Sequence, residues 1–389
     1  MLFDKFSARS LHLANRMVMA PMTRSRATPA HTPDALMATY YGQRASAGLI
    51  ITEGTSPSPD GLGYPRIPGL FDTEQVDAWR LSTSAVHAAG GKIFVQLMHC
   101  GRVAHVANLP AGAEVLGPGT AVCPGEMYTD TLGMQPHSAP RAMTEADIAH
   151  AVKEHATAAK LALDAGFDGV ELHGANGYLI EQFLNPLVNL RTDGHGGSIE
   201  GRNRLALDVV RATVAAIGRD RVGIRLSPYG VFNGTGEFPE VQAQYLSLAN
   251  SLSELGLLYI HLVDHSSMGA PPVSADFKLK LRATFDGLLI LSGGFNHGSA
   301  EQALLDKRGD LIAFGRPFLA NPDLVARMRT DAPLNAPDMA TFYTPGAKGY
   351  TDYPARDALT QEGSRQGSRQ GSHKGSHQGS QNGSHKEAA

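Results

Sequence analysis

The sequence predicts a single-domain (β/α)8 barrel, on three observations. Short β-branched or apolar runs alternate with amphipathic stretches along the body of the chain, the pattern of repeated βα units around a parallel sheet. Eight such runs can be counted, the number that closes a barrel of this class. Each run also ends in residues that are odd for a core, and such barrels carry their active sites at the strand C-termini.

The first strand is expected over 16–19 and is followed by Pro21-Met22-Thr23. The second, 48–52, leads into Glu53-Gly54, and the third, 92–97, carries Gln96 and is followed by His99. The fourth, 169–172, precedes His173 and Asn176, and the fifth, 222–226, contains Arg225. The sixth, 259–263, ends at Asp264-His265. The seventh, 288–291, runs into Ser292-Gly293-Gly294, and the eighth, 311–313, approaches Gly315-Arg316. Between strands, 145–165 and 201–216 read as amphipathic helices. Thr144-Glu145-Ala146-Asp147 offers the first of these an N-cap hydroxyl and early acidic residues that complement the helix dipole. The stretch 101–141 is long, rich in Pro and Gly and poorly periodic, which suggests a functional rim or lid.

Composition agrees with one large domain. Hydrophobic residues make up 42% of 389, enough for a barrel core, so 1–360 reads as one unit. A net charge of −3 gives no electrostatic case for nucleic acid or an anionic membrane. No apolar run approaches the roughly 20 residues of a bilayer span, and the N-terminus lacks the basic-then-apolar order of a signal peptide. The two cysteines, Cys100 and Cys123, make no disulfide framework and favour a reducing compartment. These points lead to the expectation of a cytoplasmic protein, monomer or homodimer, acting on a small-molecule substrate. From Gly363 the chain repeats Gly-Ser-x-x six times, so 361–389 is expected to be a disordered low-complexity tail. Weak metal or polyanion binding by its His and basic residues is the alternative to an inert tail.

Two features of the strand ends point to chemistry. Gly293-Gly294 and Gly315-Arg316 open loops where backbone N–H groups can approach an anion without an intervening Cβ. Barrels of this class frequently bind phosphate after strands seven and eight, so a phosphorylated cofactor is expected. Arg225 lies inside an apolar strand, where a charge is costly unless compensated. Spacing alone leaves two readings open, a salt bridge to Glu53 or Glu171 and a cation facing an electron-rich ring.

At His173-Gly174-Ala175-Asn176-Gly177-Tyr178-Leu179-Ile180-Glu181-Gln182-Phe183-Leu184 the chain resembles the old yellow enzyme family of FMN-dependent ene-reductases. The resemblance covers essentially all of 1–360. It includes Met19-Ala20-Pro21-Met22-Thr23-Arg24, Thr52-Glu53-Gly54-Thr55, Gln96-Leu97-Met98-His99-Cys100-Gly101-Arg102, Asn189-Leu190-Arg191-Thr192-Asp193 and Phe314-Gly315-Arg316-Pro317. It implies FMN as cofactor and NADPH or NADH as hydride donor. The implied reaction moves hydride from flavin N5 to the β-carbon of an activated C=C bond. The implied substrates are α,β-unsaturated carbonyls and maleimides, extending to nitroalkenes or nitrate esters.

The same resemblance assigns residues. Thr23 and Gln96 would bond the polar edge of the flavin ring, and Arg225 would face its N1–O2 edge, which resolves the choice left open above. Ala20, Pro21, Met22 and Gly54 would line the ring. Gly293, Gly294, Gly315 and Arg316 would hold the phosphate, and Ser292 and Phe314 would also bind the cofactor. His173 and Asn176 match the pair that grips the substrate carbonyl oxygen, where charge develops as hydride arrives. Tyr178 matches the proton donor to the α-carbon, a role suited to a phenol that stays protonated at neutral pH. Met98 and Tyr343 would contact substrate. Thr23 and the His173/Asn176 pair resemble the yeast-type branch, similar to bacterial N-ethylmaleimide reductases. Three positions depart from the family pattern: Met98 stands where many relatives have Trp, His195 where Tyr is usual, and Gly201 where Asn is common. The last two put packing in doubt.

Rival readings are weaker. A non-flavin phosphate-binding barrel, such as an aldolase or isomerase, usually needs a catalytic Lys or paired carboxylates at strand ends, and no lysine stands at an expected strand C-terminus. No helix carries zinc-type His or Cys spacing, so no metal is expected. A non-enzymatic flavin- or polyanion-binding protein leaves the Tyr178 donor set without a purpose.

Overall fold

Eight parallel strands close the barrel in the computed structural model, which describes residues 1–356. We label them β1 (Met17–Met19), β2 (Leu49–Thr55), β3 (Ile93–Leu97), β4 (Gly169–Gly174), β5 (Val222–Leu226), β6 (Tyr259–Val263), β7 (Leu288–Ser292) and β8 (Leu311–Phe314). Each strand pairs with the next, and β8 returns to β1 through Ile312 opposite Met17 and Phe314 opposite Met19. Every expected strand is present, with ends shifted by a few residues at most. Continuous burial explains their legibility: a parallel strand covered on both faces reads as an unbroken apolar run.

Two strands run two or more residues further than expected, and both extensions matter. β2 continues to Thr55 through a bulge, since Ile51 opposes Phe94 while Gly54 opposes Gln96. Thr52 and Glu53 thus face one partner residue. In compensation Thr52 Oγ1 accepts from the Gln96 backbone N at 3.1 Å. β4 continues to Gly174 and so places His173 in the sheet, opposite Arg225.

Two apolar clusters flank the barrel wall. One joins Val18, Leu49, Ile51, Phe94, Tyr259, Ile290 and Leu311 with Phe6, Leu11 and Leu13 of an N-terminal hairpin, Phe6–Ala8 paired with Leu11–Leu13. The other packs the outward strand residues against the surrounding helices. The helix Glu145–Asp164 starts at Thr144 with a full capping box to Asp147, as its sequence indicated. The expected 201–216 helix spans Ile199–Ile217 and is capped by Ser198. The stretch 101–141 is more ordered than its composition implied. It contains an antiparallel hairpin, Glu126–Thr129 with Gly133–Pro136.

The departures at His195 and Gly201 have local accounts. His195 Nδ1 pairs with Glu145 Oε1 at 3.2 Å, and its ring meets Phe183 edge-on. A Cβ on Gly201 would lie 2.1 Å from the Gly196 carbonyl oxygen, so this loop excludes a larger residue there.

Met1–Tyr353 forms one compact unit, and a second begins at Pro354. The expected boundary at 360 and the tail 361–389 lie outside the described residues. Among the described residues no helix is long and apolar enough to cross a membrane, and both cysteines are free.

Candidate active site

The C-terminal ends of the strands surround a cavity of about 830 Å³. Of the residues singled out in the sequence, Pro21, Thr23, Gly54, Gln96, Met98, His173, Asn176, Tyr178, Arg225 and Tyr343 line it. Ala20, Met22, Ser292, Gly293, Gly294, Phe314, Gly315 and Arg316 do not. They stand at the ends of β1, β7 and β8, with Ser292 opposite Ala313.

Fully burying an apolar side chain stabilises a fold by about 1.5–3 kcal/mol, whereas burying charge usually costs. Yet the barrel interior carries Gln96, Glu171, His173, Arg225 and His261, all buried. Glu171 accepts from Gln96 Nε2 at 2.8 Å and from His261 Nδ1 at 2.9 Å. Glu53 is occupied by the Arg24 backbone N and the Tyr41 hydroxyl. Arg225 therefore makes no salt bridge with either candidate carboxylate. Its guanidinium has no hydrogen-bond partner among the described residues, and its Nε is fully buried without one. A buried, unpaired cation lining a cavity is costly on its own and fits an electron-rich ligand.

The histidines here are neutral. Burial, then repulsion from Arg225, holds His173 well below the usual imidazole range. Burial also lowers His261, and brings His265 to about 4. His173 Nδ1 accepts from the Ala175 backbone N at 3.3 Å. A neutral ring accepting at Nδ1 carries its proton on Nε2, which makes His173 a donor there.

Asn176 adopts a left-handed backbone, φ 60°. Its backbone N donates to Ser227 Oγ at 2.9 Å, its carbonyl accepts from Asn233 Nδ2 at 2.7 Å, and its side-chain amide has no hydrogen-bond partner among the described residues. Ser227 Oγ and the Gly177 backbone N both donate to Glu181, at 2.9 and 2.6 Å. Glu181 is thus the anchor of the turn that presents Asn176. Tyr178 follows as the N-cap of the helix Leu179–Leu184, with its ring centroid 4.9 Å from that of His173. Burial raises the phenol well above its ordinary range, so it stays protonated.

The rim comes from three segments. Tyr64 and Arg66 contribute from the loop after β2, residues 124–128, Met134 and His137 from the hairpin region, and Met339 to Pro345 from the C-terminal side. Arg26 fixes the last of these. Its guanidinium donates to the carbonyls of Arg24, Thr341, Phe342, Gly346 and Lys348 at 2.8–3.1 Å. Tyr64, Glu181 and Arg26 were not singled out from the sequence. The Gly61-Leu62-Gly63-Tyr64-Pro65 loop directly after an irregular strand end was the signal available for Tyr64.

At the β7 and β8 ends, Gly293 and Gly294 have φ of 147° and 67°. A Cβ on Gly293 would lie 2.5 Å from the Asp264 carbonyl oxygen, so only glycine fits. Gly315 caps the short helix Arg316–Ala320, and Arg316 is exposed.

This barrel, its buried cation and its polar-lined cavity define a (β/α)8 enzyme fitted to a ring-bearing cofactor. The chain belongs to the NADH:flavin oxidoreductase / NADH oxidase family, which matches residues 1–335. It is 42% identical over 347 residues to a probable flavin mononucleotide-dependent alkene reductase of Leishmania infantum, covering 88% of this chain and 94% of that one. It is 39% identical over 364 residues to 12-oxophytodienoate reductase 2 of Arabidopsis thaliana, covering 92% and 96%. Among solved structures, morphinone reductase superposes with a TM-score of 0.88 at 44% identity, covering 92% of this chain and 96% of that one. The old yellow enzyme homologue of Zymomonas mobilis gives 0.87 at 40%, covering 91% and 99%. The resemblance to old yellow enzyme thus holds. The protein is an FMN-dependent NAD(P)H oxidoreductase that reduces activated carbon–carbon double bonds.

Proposed function

We propose that the cavity reduces cyclic α,β-unsaturated ketones, with His173 and Asn176 holding the carbonyl oxygen and Tyr178 protonating the α-carbon. The observation that carries this reading is the convergence of His173, Asn176 and Tyr178 on one cavity beside the unpaired Arg225. Fused or substituted cyclic enones are favoured because the chain resembles 12-oxophytodienoate and morphinone reductases and the cavity is large.

FMN, when bound, would supply the two-electron chemistry between NADH or NADPH and the alkene. Arg225 would present its cation to the ring edge that becomes more negative on reduction. Gln96, whose Nε2 is committed to Glu171, offers Oε1 as an acceptor to the ring, and Thr23 offers its hydroxyl. Ala20, Pro21, Met22 and Gly54 pack beside the ring. Backbone N–H groups at Gly293, Gly294 and Gly315, with the Arg316 charge, would hold the phosphate, and Ser292 and Phe314 would contact the cofactor beside them. His173 Nε2 and the Asn176 amide donate to the substrate oxygen, strongest when that oxygen carries developing charge. Tyr178 transfers its proton to the carbon. Met98 and Tyr343 bound the space left for substrate.

We further infer a cytoplasmic enzyme, monomer or homodimer, without nucleic-acid or membrane partners. The free cysteines and the near-balanced charge support this. The test is direct. The purified protein carries noncovalent FMN, its visible absorption bleaches anaerobically with NADH or NADPH, and 2-cyclohexen-1-one restores it. Full bleaching with no recovery by any enone, maleimide or nitroalkene overturns the substrate reading.

A further inference from the structure

We propose that Tyr64 relays a solvent proton to Tyr178, so that alkene protonation runs through two phenols in series. The inference rests on the reading of Tyr178 as proton donor.

The two hydroxyls lie 3.1 Å apart, and the rings meet edge-on at 84°. Tyr64 is the one hydrogen-bond partner of the Tyr178 hydroxyl among the described residues. Around the pair stand Leu62, Ile67, Met98 and Cys100, a fully apolar cluster. The other titratable groups near Tyr178 are His173, Tyr343, the buried Cys100 thiol and Arg225, whose charge acts on the phenol through space without a hydrogen bond to it. His173 is neutral and assigned to the substrate oxygen, and burial raises Cys100 far above its ordinary range.

When Tyr178 gives up its proton, its O–H bond breaks and a C–H bond forms at the α-carbon. The oxygen left behind carries a full negative charge beside apolar side chains, which is costly without a donor. Tyr64 is placed to be that donor. Hydroxyl hydrogens rotate about the C–O bond, so the pair can reverse its direction once a substrate carbon takes the place of Tyr64 as acceptor. The Tyr64 O–H bond breaks in the same step, as the Tyr178 O–H bond re-forms. Tyr64, only half-buried at the cavity rim beside Arg66, recovers its proton from water. One solvent proton is consumed and no other reactant is needed. Tyr64 touches no reacting atom and acts through Tyr178, as a positioning and relay residue.

The experiment is a single-turnover stopped-flow measurement of 2-cyclohexen-1-one reduction by pre-reduced holoenzyme in mixtures of H₂O and D₂O. In the wild type the rate should curve downward with deuterium fraction, as two protons in flight require. Tyr64→Phe removes one oxygen and keeps the ring. Its melting temperature and its Kd for FMN should match the wild type, while the enone step slows by about tenfold, at the lower end of general-acid effects, and its deuterium dependence becomes linear. A linear dependence in the wild type, before any substitution, overturns the relay. An unchanged rate and unchanged curvature in Tyr64→Phe also overturn it. Tyr178→Phe in the same assay separates the two readings: if it slows the step and Tyr64→Phe does not, only the relay fails. If Tyr178→Phe has no effect, the donor assignment beneath it fails as well.

Discussion

Gln96 Nε2 donates to Glu171 Oε1 at 2.8 Å, across the register pair that joins β3 to β4. An ionised carboxylate can only accept, so this bond orients the amide and turns Gln96 Oε1 toward the cavity. The N3–H of an isoalloxazine is the donor that such an acceptor suits. Glu171→Gln keeps the shape but accepts or donates equally well, and it releases Gln96 to present either end. The Kd for FMN, measured by fluorescence titration of apoprotein, should rise about tenfold, the cost of roughly one hydrogen bond. An unchanged Kd would show that the orientation of Gln96 does not matter to the ring.

Glu181 should confer a distinct pH dependence on stability. Burial raises it to about 7, while an unfolded glutamate titrates near about 4.3. The folded state therefore holds the proton more tightly. Its contribution is fully present below about pH 4.3 and is lost as pH rises through 7, about 4 kcal/mol in all. Buried His99 and His155, lowered to about 3 and about 4, act in the opposite sense over overlapping pH. The difference between wild type and Glu181→Gln isolates the carboxyl. Denaturant midpoints should show the wild type losing ground to the variant between pH 5 and pH 8. A pH-independent difference would mean that Glu181 is ionised throughout.

Met98→Trp should change substrate preference more than reduction by NADH or NADPH. Met98 packs on Leu62, Ile67 and Cys100 and lies against Gly54, where a Cβ would fall 2.4 Å from its sulfur. With no space behind it, a rigid indole must intrude into the cavity. Competition between unsubstituted and ring-substituted enones should shift severalfold. An unchanged ratio would place this side chain out of reach of the substrate.

Arg26→Lys should loosen the rim that carries Tyr343. Five N–H groups meet five carbonyls in one fork, a geometry that an ammonium cannot reproduce. Although burial lowers it to about 10, Arg26 keeps its charge at neutral pH. KM for a cyclic enone should rise severalfold, with flavin reduction unaltered. Equal effects on both half-reactions would point to general destabilisation instead.

The sequence made the barrel legible because its strands are buried on both faces. The strand-end residues were legible because polar groups are conspicuous there. His173, Asn176, Gln96 and Arg225 were accordingly legible from the strand ends and Tyr178 only through the family resemblance, and the cavity gathers all five. What escaped depends on contacts between distant positions. Tyr64 precedes Tyr178 by 114 residues, and nothing local pairs the two phenols. Glu181 sits on an apolar helical turn, and its role appears only when Ser227, 46 residues on, folds against it. The bulge in β2 was hidden because Thr52 and Glu53 alternate like ordinary strand residues until Gly54 is seen opposite Gln96. The hairpin after 125 was obscured by exposure, since Tyr128 and Met134 are apolar yet exposed at the cavity rim.

The central claim is that Tyr178 serves the alkene and not the nicotinamide. Anaerobic stopped-flow of Tyr178→Phe, following flavin absorbance in each half-reaction separately, tests it most directly. Reduction by NADH or NADPH should proceed within about twofold of wild type, while reoxidation by 2-cyclohexen-1-one should slow by about 10²–10⁴-fold, the range of an ordinary general acid. Nitroalkenes, whose products can take a proton from water, should be spared most of that loss. Equal slowing of both half-reactions, or an undiminished enone step, would contradict the account.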